Sequence, residues 1–371
     1  MSISINTINK LITVYSGVKL TAYETTATRK HTYTFKVYIN DALEYELRPK
    51  ANLENKGVLD IESILSKTAK SKVFYNSSNL FETNNTALIK YKVDIECKDL
   101  SGSTVSSTST GDLFALNGVK QVFERQNIND YLMISTVSKG SFLTKCADKL
   151  IATDSKSYLT AINGNFGFGS NPSFTGIRVK ATDYDGQTRT TTANYSNTNP
   201  ELVSIDVSID KLNSISGTFI TENTNFYTVE ELSGKSNPIK YTITREKKIK
   251  QTFNFLYVNS LGAVDSFDFT KVSEESLNIK RSVFENQSIH KAYNTTATQK
   301  FRVYSDFINE VQSIGLIDLW ITPKIILHED DLYNEVILGT KAIKPLRRIN
   351  EKMINYPIDF SYASAYKTQK Y

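Results

Sequence analysis

The feature that most restricts this chain is a period-two alternation of apolar and polar residues. In its sharpest instance Ile89, Tyr91, Val93, Ile95 and Cys97 alternate with Lys90, Lys92, Asp94, Glu96 and Lys98. Successive side chains of a strand point to opposite faces, so this pattern specifies a strand with one buried face. Thr32–Ile39 repeats it, with Tyr33, Phe35, Val37 and Ile39 on one side. Asn40-Asp41 supplies a turn, and Leu43, Tyr45 and Leu47 then alternate with Glu44, Glu46 and Arg48, which reads as a hairpin. Asp60 is placed to cap a short helix whose stripe is Ile61, Ile64, Leu65 and Ala69. The polar run GSTVSSTSTG, 102–111, has few apolar anchors and reads as a loop or linker. Residues 1–112 are therefore expected to form a β-sandwich of immunoglobulin or fibronectin type.

The same period returns beyond that boundary. Ile177, Val179 and Ala181 form one strand face, and Asp183-Tyr-Asp-Gly186 is a hairpin signal. Val203, Ile205, Val207 and Ile209 alternate with serines and Asp206; Ile239, Tyr241 and Ile243 alternate as well. Phe253, Phe255 and Tyr257 begin a strand that turns at Asn259-Ser-Leu-Gly262 and returns through Phe267 and Phe269. Short strands at this spacing predict a second, jelly-roll-like sandwich over residues 113–272. Residues 273–371 read as a C-terminal α+β assembly region. There Ser305 precedes a helical stripe of Phe307, Val311 and Ile314, and Gly315 stands where a helix would stop. The stretch YPIDFSYASAYKTQKY lacks amphipathic helix spacing. The expected fold class is mainly β: two tandem antiparallel β-sandwich domains and an α+β region. The chain's 21 Tyr and 19 Phe, with its many β-branched residues, exclude a disordered polymer.

Little in the sequence points to catalysis. No G-x-S-x-G elbow, P-loop or dinucleotide fingerprint is present. Two cysteines make neither a disulfide framework nor a four-thiolate zinc site, and Cys97 falls on the core face of its strand. His31, His290 and His328 stand apart, and His328-Glu-Asp-Asp331 reads as a solvated turn. Asp183, Asp185 and Gly186 open like a calcium loop, but the later ligands are missing. Glu230-Glu231 and Glu274-Glu275 are neighbours in sequence, which does not by itself flank a glycosidic bond. The reading is no catalytic residue, no metal ligand and no cofactor. A net charge of +5 is small for 371 residues, so a nucleic-acid partner is not expected. No apolar run reaches the roughly 20 residues of a membrane span, and the first residues carry no export signal, so no membrane partner is expected.

Contact residues are the remaining candidates. Phe166, Phe168 and Phe174 lie in the Gly-rich run INGNFGFGSNPSFTG, 162–176. They fit either an aromatic platform for a sugar or partner chain, or a loop tucked under the sandwich by its own rings. Arg245-Glu-Lys-Lys-Ile-Lys250 and the basic run 341–352, with Arg347 and Arg348, fit a solvated face or an acidic neighbour. Tyr356, Phe360, Tyr362, Tyr366 and Tyr371 make the C-terminal end an aromatic interface candidate.

Three segments carry a family resemblance. They are GVLDIESIL after the N-terminal strand pair, FALNGVKQVFE followed by SFLT, and FLYVNSLGAVDSFDF followed further on by YSDFINEVQSIGLIDLWITPKIIL. Taken in order they resemble tail-associated virion structural proteins of tailed bacteriophages that infect Bacteroidota. The resemblance implies a non-enzymatic component of a tail, baseplate or tail ring, made in the host bacterial cytoplasm and resident in the virion. Its expected partners are copies of itself in a ring or other cyclic oligomer, and other virion tail proteins. The alternative is a lectin-like host-recognition module of a tail fibre or tail tip, binding host surface glycan.

Overall fold

Alternating strands bury one face only if another layer covers it, and the chain solves this three times. The computed structural model describes residues 3–28, 30–73, 78–119, 127–164, 166, 174–245, 252–271, 273–286, 289–329, 331–340 and 355–364, with backbone alone for 284–286 and 289–294. The fold is mainly β, built chiefly from antiparallel sheets.

In the first layer pair, a six-stranded sheet runs in the order Leu11–Tyr15, Leu113–Val119, Leu88–Lys98, Thr32–Ile39, Ala42–Leu47, with Thr104–Ser109 also on Leu88–Lys98. A three-stranded sheet of Ile3–Ile5, Lys19–Glu24 and Lys56–Asp60 accompanies it. The predicted core faces meet between them: Tyr33, Phe35, Val37, Tyr91, Val93, Ile95 and Cys97 pack with Leu20, Ala22 and Leu59. Gly57 is required there, because a Cβ would sit 2.5 Å from the Tyr33 ring. The helix Glu62–Thr68 seals one end with Ile64 and Leu65, and the Asp60 carboxylate accepts from the Glu62 N–H at 3.1 Å.

Two expectations change here. Thr104–Ser109 is a strand rather than a linker, pairing antiparallel with Leu88–Lys98 from Asp94 to Lys98. Leu113–Val119 belongs to the first sheet, parallel to Leu11–Tyr15 and antiparallel to Leu88–Lys98, so the boundary at 112 moves beyond it. A polar run is extended here because its partner strand supplies the hydrogen bonds.

The second layer pair sets a five-stranded sheet (Asp148–Ala152, Ile239–Thr244, Thr224–Glu231, Gly176–Asp183, Thr188–Asn194) with a three-stranded one (Tyr158–Asn163, Glu201–Asp206, Phe81–Thr83). Phe81–Thr83 is donated from the N-terminal third of the chain. Tyr227 and Tyr241 stack in its core at 4.9 Å between centroids. The 183–186 hairpin forms as expected, with Gly186 at φ +84°. Its Asp183 carboxylate is occupied by the Arg189 guanidinium at 2.6 and 2.7 Å and by Thr224.

The third body is a seven-stranded antiparallel sheet in the order Val264–Phe269, Phe253–Val258, Ile325–Glu329, Leu332–Leu338, Pro357–Tyr362, Ile289–Tyr304, Ser273–Asn286. The hairpin of Phe253 and Phe269 thus lies in the C-terminal sheet, not in the middle sandwich, and the boundary at 272 moves before it. Glu310–Ile321 is the helix of this body. It runs past Gly315 because its start is fixed by a capping box between Asn309 and Gln312, and because Gly315 meets Cys146 where a Cβ would come within 3.1 Å. Among the described residues no helix is long and apolar enough to cross a membrane.

Candidate functional site

The site most distinctive in shape is the hairpin of Ser273–Asn286 and Ile289–Tyr304. Its two strands pair along their whole length, from Ser273 opposite Val303 to Asn286 opposite Ile289, with one register shift near Val283. Only its root joins the sheet, where Lys300 to Tyr304 pair with Pro357–Tyr362. There Phe301 stacks on Phe360 at 4.9 Å with nearly parallel rings, and Tyr362 meets Phe301 edge-on at 5.5 Å. Arg302 grips Asp359 with two bonds of 2.7 and 3.0 Å, which holds the Asp359 carboxyl below the usual range. Beyond the Ser276–Lys300 pair the ribbon has no third strand among the described residues. From Ser276 to Asn286, at about 3.3 Å per residue, it projects roughly 33 Å.

Such a ribbon is expensive in isolation, since two strands alone are marginally stable in water. The sequence keeps its pattern nonetheless. Glu275, Leu277, Ile279, Arg281 and Val283 share one face; Glu274, Ser276, Asn278, Lys280 and Ser282 share the other. The first face continues the buried face of the sheet, because Leu277 and Ile279 lie opposite Gln299 and Ala297, two and four residues before Phe301. Leu277, Ile279 and Val283 are 51%, 46% and 53% exposed. An apolar stripe that continues a core into solvent marks a contact surface.

The helix Glu310–Ile321 offers a second one. Its inner side buries Leu316 and Leu319, and the Tyr257 hydroxyl donates to the Gly315 carbonyl at 3.0 Å. The outer side leaves Val311, Ile314, Ile317 and Ile321 exposed, with Phe307 just ahead of them. The expected stripe of Phe307, Val311 and Ile314 is therefore real, but it faces away from the core. At Ile321 it runs into a groove of about 560 Å³ also lined by Tyr15, Val119, Val258 and Pro323.

The remaining sequence candidates fare differently. Phe166 and Phe174 are buried: Phe166 meets Phe114 edge-on at 5.0 Å, and Phe174 packs against Phe81 and Tyr195. An exposed platform built on them is overturned, because their rings fill gaps between layers. Phe168 lies outside the described residues. Tyr356 and Phe360 are core residues, contacting Trp320 and Phe255 respectively, and Tyr362 is half-buried with its hydroxyl on Glu329 at 3.2 Å. The stretch without amphipathic helix spacing holds the strand Pro357–Tyr362, in which Ile358 and Phe360 alternate inward. Arg347, Arg348, Tyr366 and Tyr371 lie outside the described residues. Arg245 donates to the carbonyls of Thr221 and Thr224, and the rest of its basic run is likewise outside.

Buried ionisable groups cluster where the middle sandwich meets the C-terminal sheet. Lys149 is ion-paired with Asp265, which also accepts from Thr144 at 2.8 Å. Burial alone would push the Lys149 ammonium down; the Asp265 charge outweighs it and raises it. Asp268 accepts from the Ala152 N–H at 2.7 Å and from Asn254 at 2.6 Å, and burial pushes its carboxyl up to about 6. Cys146 is closed in beside them, its thiol pushed by burial to about 12, which is the wrong direction for a nucleophile. His328 is also buried, against the Tyr333 ring at 4.9 Å, and burial lowers its pKa. The solvated turn expected at this histidine is therefore a strand position in the sheet interior. Of these, the Lys149–Asp265 ion pair and the Asp268 carboxylate on the Ala152 N–H tie the two bodies together.

No protein-family model matches this chain, and no curated protein matches it. Nothing in the expected domain organisation anticipates the ribbon. The alternation of Leu277, Ile279 and Val283 with Ser276, Asn278, Lys280 and Ser282 was the available signal, diluted by Arg281 among the apolar positions.

Proposed function

We propose that this chain is a non-enzymatic structural subunit that builds a homo-oligomer through its projecting β-ribbon, as a tail, baseplate or tail-ring component of a bacteriophage virion. The observation that carries the reading is the ribbon: some 33 Å of two-stranded arm whose apolar stripe continues a core yet stands exposed among the described residues. An exposed apolar stripe of this kind marks an interaction surface. The exposed helix face supplies a further contact for a neighbouring virion protein. Among the described residues no group of His, Cys, Asp and Glu is arranged to hold a metal, and the Lys149–Asp265 pair is buried.

The test is hydrodynamic. Light scattering on the full chain should give a discrete oligomer. Replacing residues 278–298 by Asn-Gly, which closes a tight hairpin turn, should give a folded monomer whose circular dichroism loses only the strand signal of the removed ribbon. A full chain that is monomeric at every concentration overturns the reading.

A further inference from the structure

The arm's own sequence narrows what it joins, given that self-assembly. Its outer strand, Ser273–Asn286, ends the seven-stranded sheet, and among the described residues only Ile289–Tyr304 pairs with it. Its other edge therefore carries a row of open backbone groups, a template for one more strand. From Ser273 to Arg281 every side chain is exposed. Charge is divided along this strand: Glu274 and Glu275 stand at the root, Lys280 and Arg281 towards the tip. Glu274 accepts from the Tyr304 hydroxyl at 3.2 Å and Glu275 from the Gln299 amide, both neutral donors. Arg302, opposite Glu274, is already held by Asp359. Lys280 and Arg281 lie opposite Thr296 and Thr295, and among the described residues neither makes an ion pair.

We infer that this strand pairs antiparallel with the same strand of a second copy of the chain, about a two-fold axis at Asn278. Residues directly opposed in an antiparallel pair lie on the same face of the sheet. With Asn278 opposite its own equivalent, Leu277 falls opposite Ile279 and Glu275 opposite Arg281, each twice. On the other face Ser276 falls opposite Lys280, and Glu274 comes diagonal to Lys280. Opposite charges across strands favour a pair, like charges destabilise it, and diagonal neighbours stay within reach of long side chains. The apolar side chains of both copies thus meet at the centre, closed at either end by a Glu–Arg pair. Neighbouring registers lose this match. A two-fold at Leu277 sets Glu275 against Ile279, and one at Ile279 sets Arg281 against Leu277 and Glu275 against Val283. A parallel pair in register sets glutamates against glutamates and cations against cations. The contact uses the same patch on both copies, so it closes on a dimer and joins two seven-stranded sheets into one.

This inference rests on the assembly reading, and cross-linking with charge reversal separates the two. In the full chain, Asn278→Cys should form a disulfide between copies under mild oxidation, because opposed Cα atoms in such a pair lie about 4.5–5.5 Å apart. Ser282→Cys should not, because its equivalent would sit about 26 Å further along the strand, opposite Glu274. The native Cys97 and Cys146 are buried, and the wild type serves as the blank. Glu275→Arg alone and Arg281→Glu alone should each weaken self-association about tenfold, since the dimer holds that pair twice. Both together in one chain should restore it, and circular dichroism checks that each variant folds. If Asn278→Cys cross-links no faster than Ser282→Cys, or the double variant associates no better than either single one, the pairing is wrong. If replacing 278–298 nonetheless abolishes association, the arm seats elsewhere; the inference falls and the assembly reading stands. A wild-type chain that never associates removes both.

Discussion

Two regions of this molecule handle charge and apolar surface in opposite ways. At the junction of the middle sandwich with the C-terminal sheet, Lys149, Asp265, Asp268 and Asp318 are buried and Lys145 is half-buried, each bonded to a partner in the same chain. Along the arm, Leu277, Ile279, Lys280, Arg281 and Val283 stand exposed. The junction spends its interactions on holding this chain in one shape. The arm leaves its apolar side chains exposed among the described residues. Damage to the junction should therefore register as lost stability, and damage to the arm as lost association.

The sharpest way to break the contrast is at Asp265. Asp265→Ala strands the Lys149 ammonium in the interior, and urea unfolding should show a loss of about 3–5 kcal/mol. Phe360→Ala, at the arm's root, should cost a similar or slightly smaller amount, about 3–4 kcal/mol, by opening a cavity against Phe253, Phe255 and Phe301. This variant should loosen the root and weaken assembly together, because the root belongs to both regions.

Asp268 gives the next effect, and it depends on pH. Its carboxyl titrates at about 6 in the folded chain against an ordinary value of 3.8. The folded state therefore holds that proton more tightly than the unfolded state does. The stabilisation is fully present below about pH 4 and is lost as pH rises through 6, a swing of roughly 3 kcal/mol. Comparing unfolding of the wild type and Asp268→Asn across that window should show a shallower slope in the variant, since the raised carboxyls of Asp206 and Asp318 remain in both. The smallest stability effect belongs to the arm. Leu277→Ser with Ile279→Ser should change unfolding by less than about 0.5 kcal/mol, yet shift light scattering towards monomer. A large stability loss there would mean that the stripe packs within its own chain.

Much of the architecture was legible because alternation is a local signal. Tyr33, Phe35, Tyr91, Ile95, Phe253 and Phe255 are buried where their spacing placed them. Other parts were not, for definable reasons. Thr104–Ser109 looked like a linker because polar strands carry no apolar period, and only the neighbouring Leu88–Lys98 makes it a strand. Phe166 and Phe174 looked available because a Gly-rich run gives no sign of what lies above it. Phe307, Val311 and Ile314 formed the expected helical stripe, but periodicity cannot say which side of a helix that is apolar on several sides faces inward.

The sequence alone determined the kind of element and the apolar face of most strands, since both follow from the two-residue repeat of a single extended chain. Tertiary structure alone decided the rest. It took Leu113–Val119 into the first sheet and the Phe253–Phe269 hairpin into the last, and it left the stripe of Leu277, Ile279 and Val283 uncovered. The reason is physical: a strand's pattern is written in its neighbours along the chain, but pairing and coverage depend on residues far away in sequence.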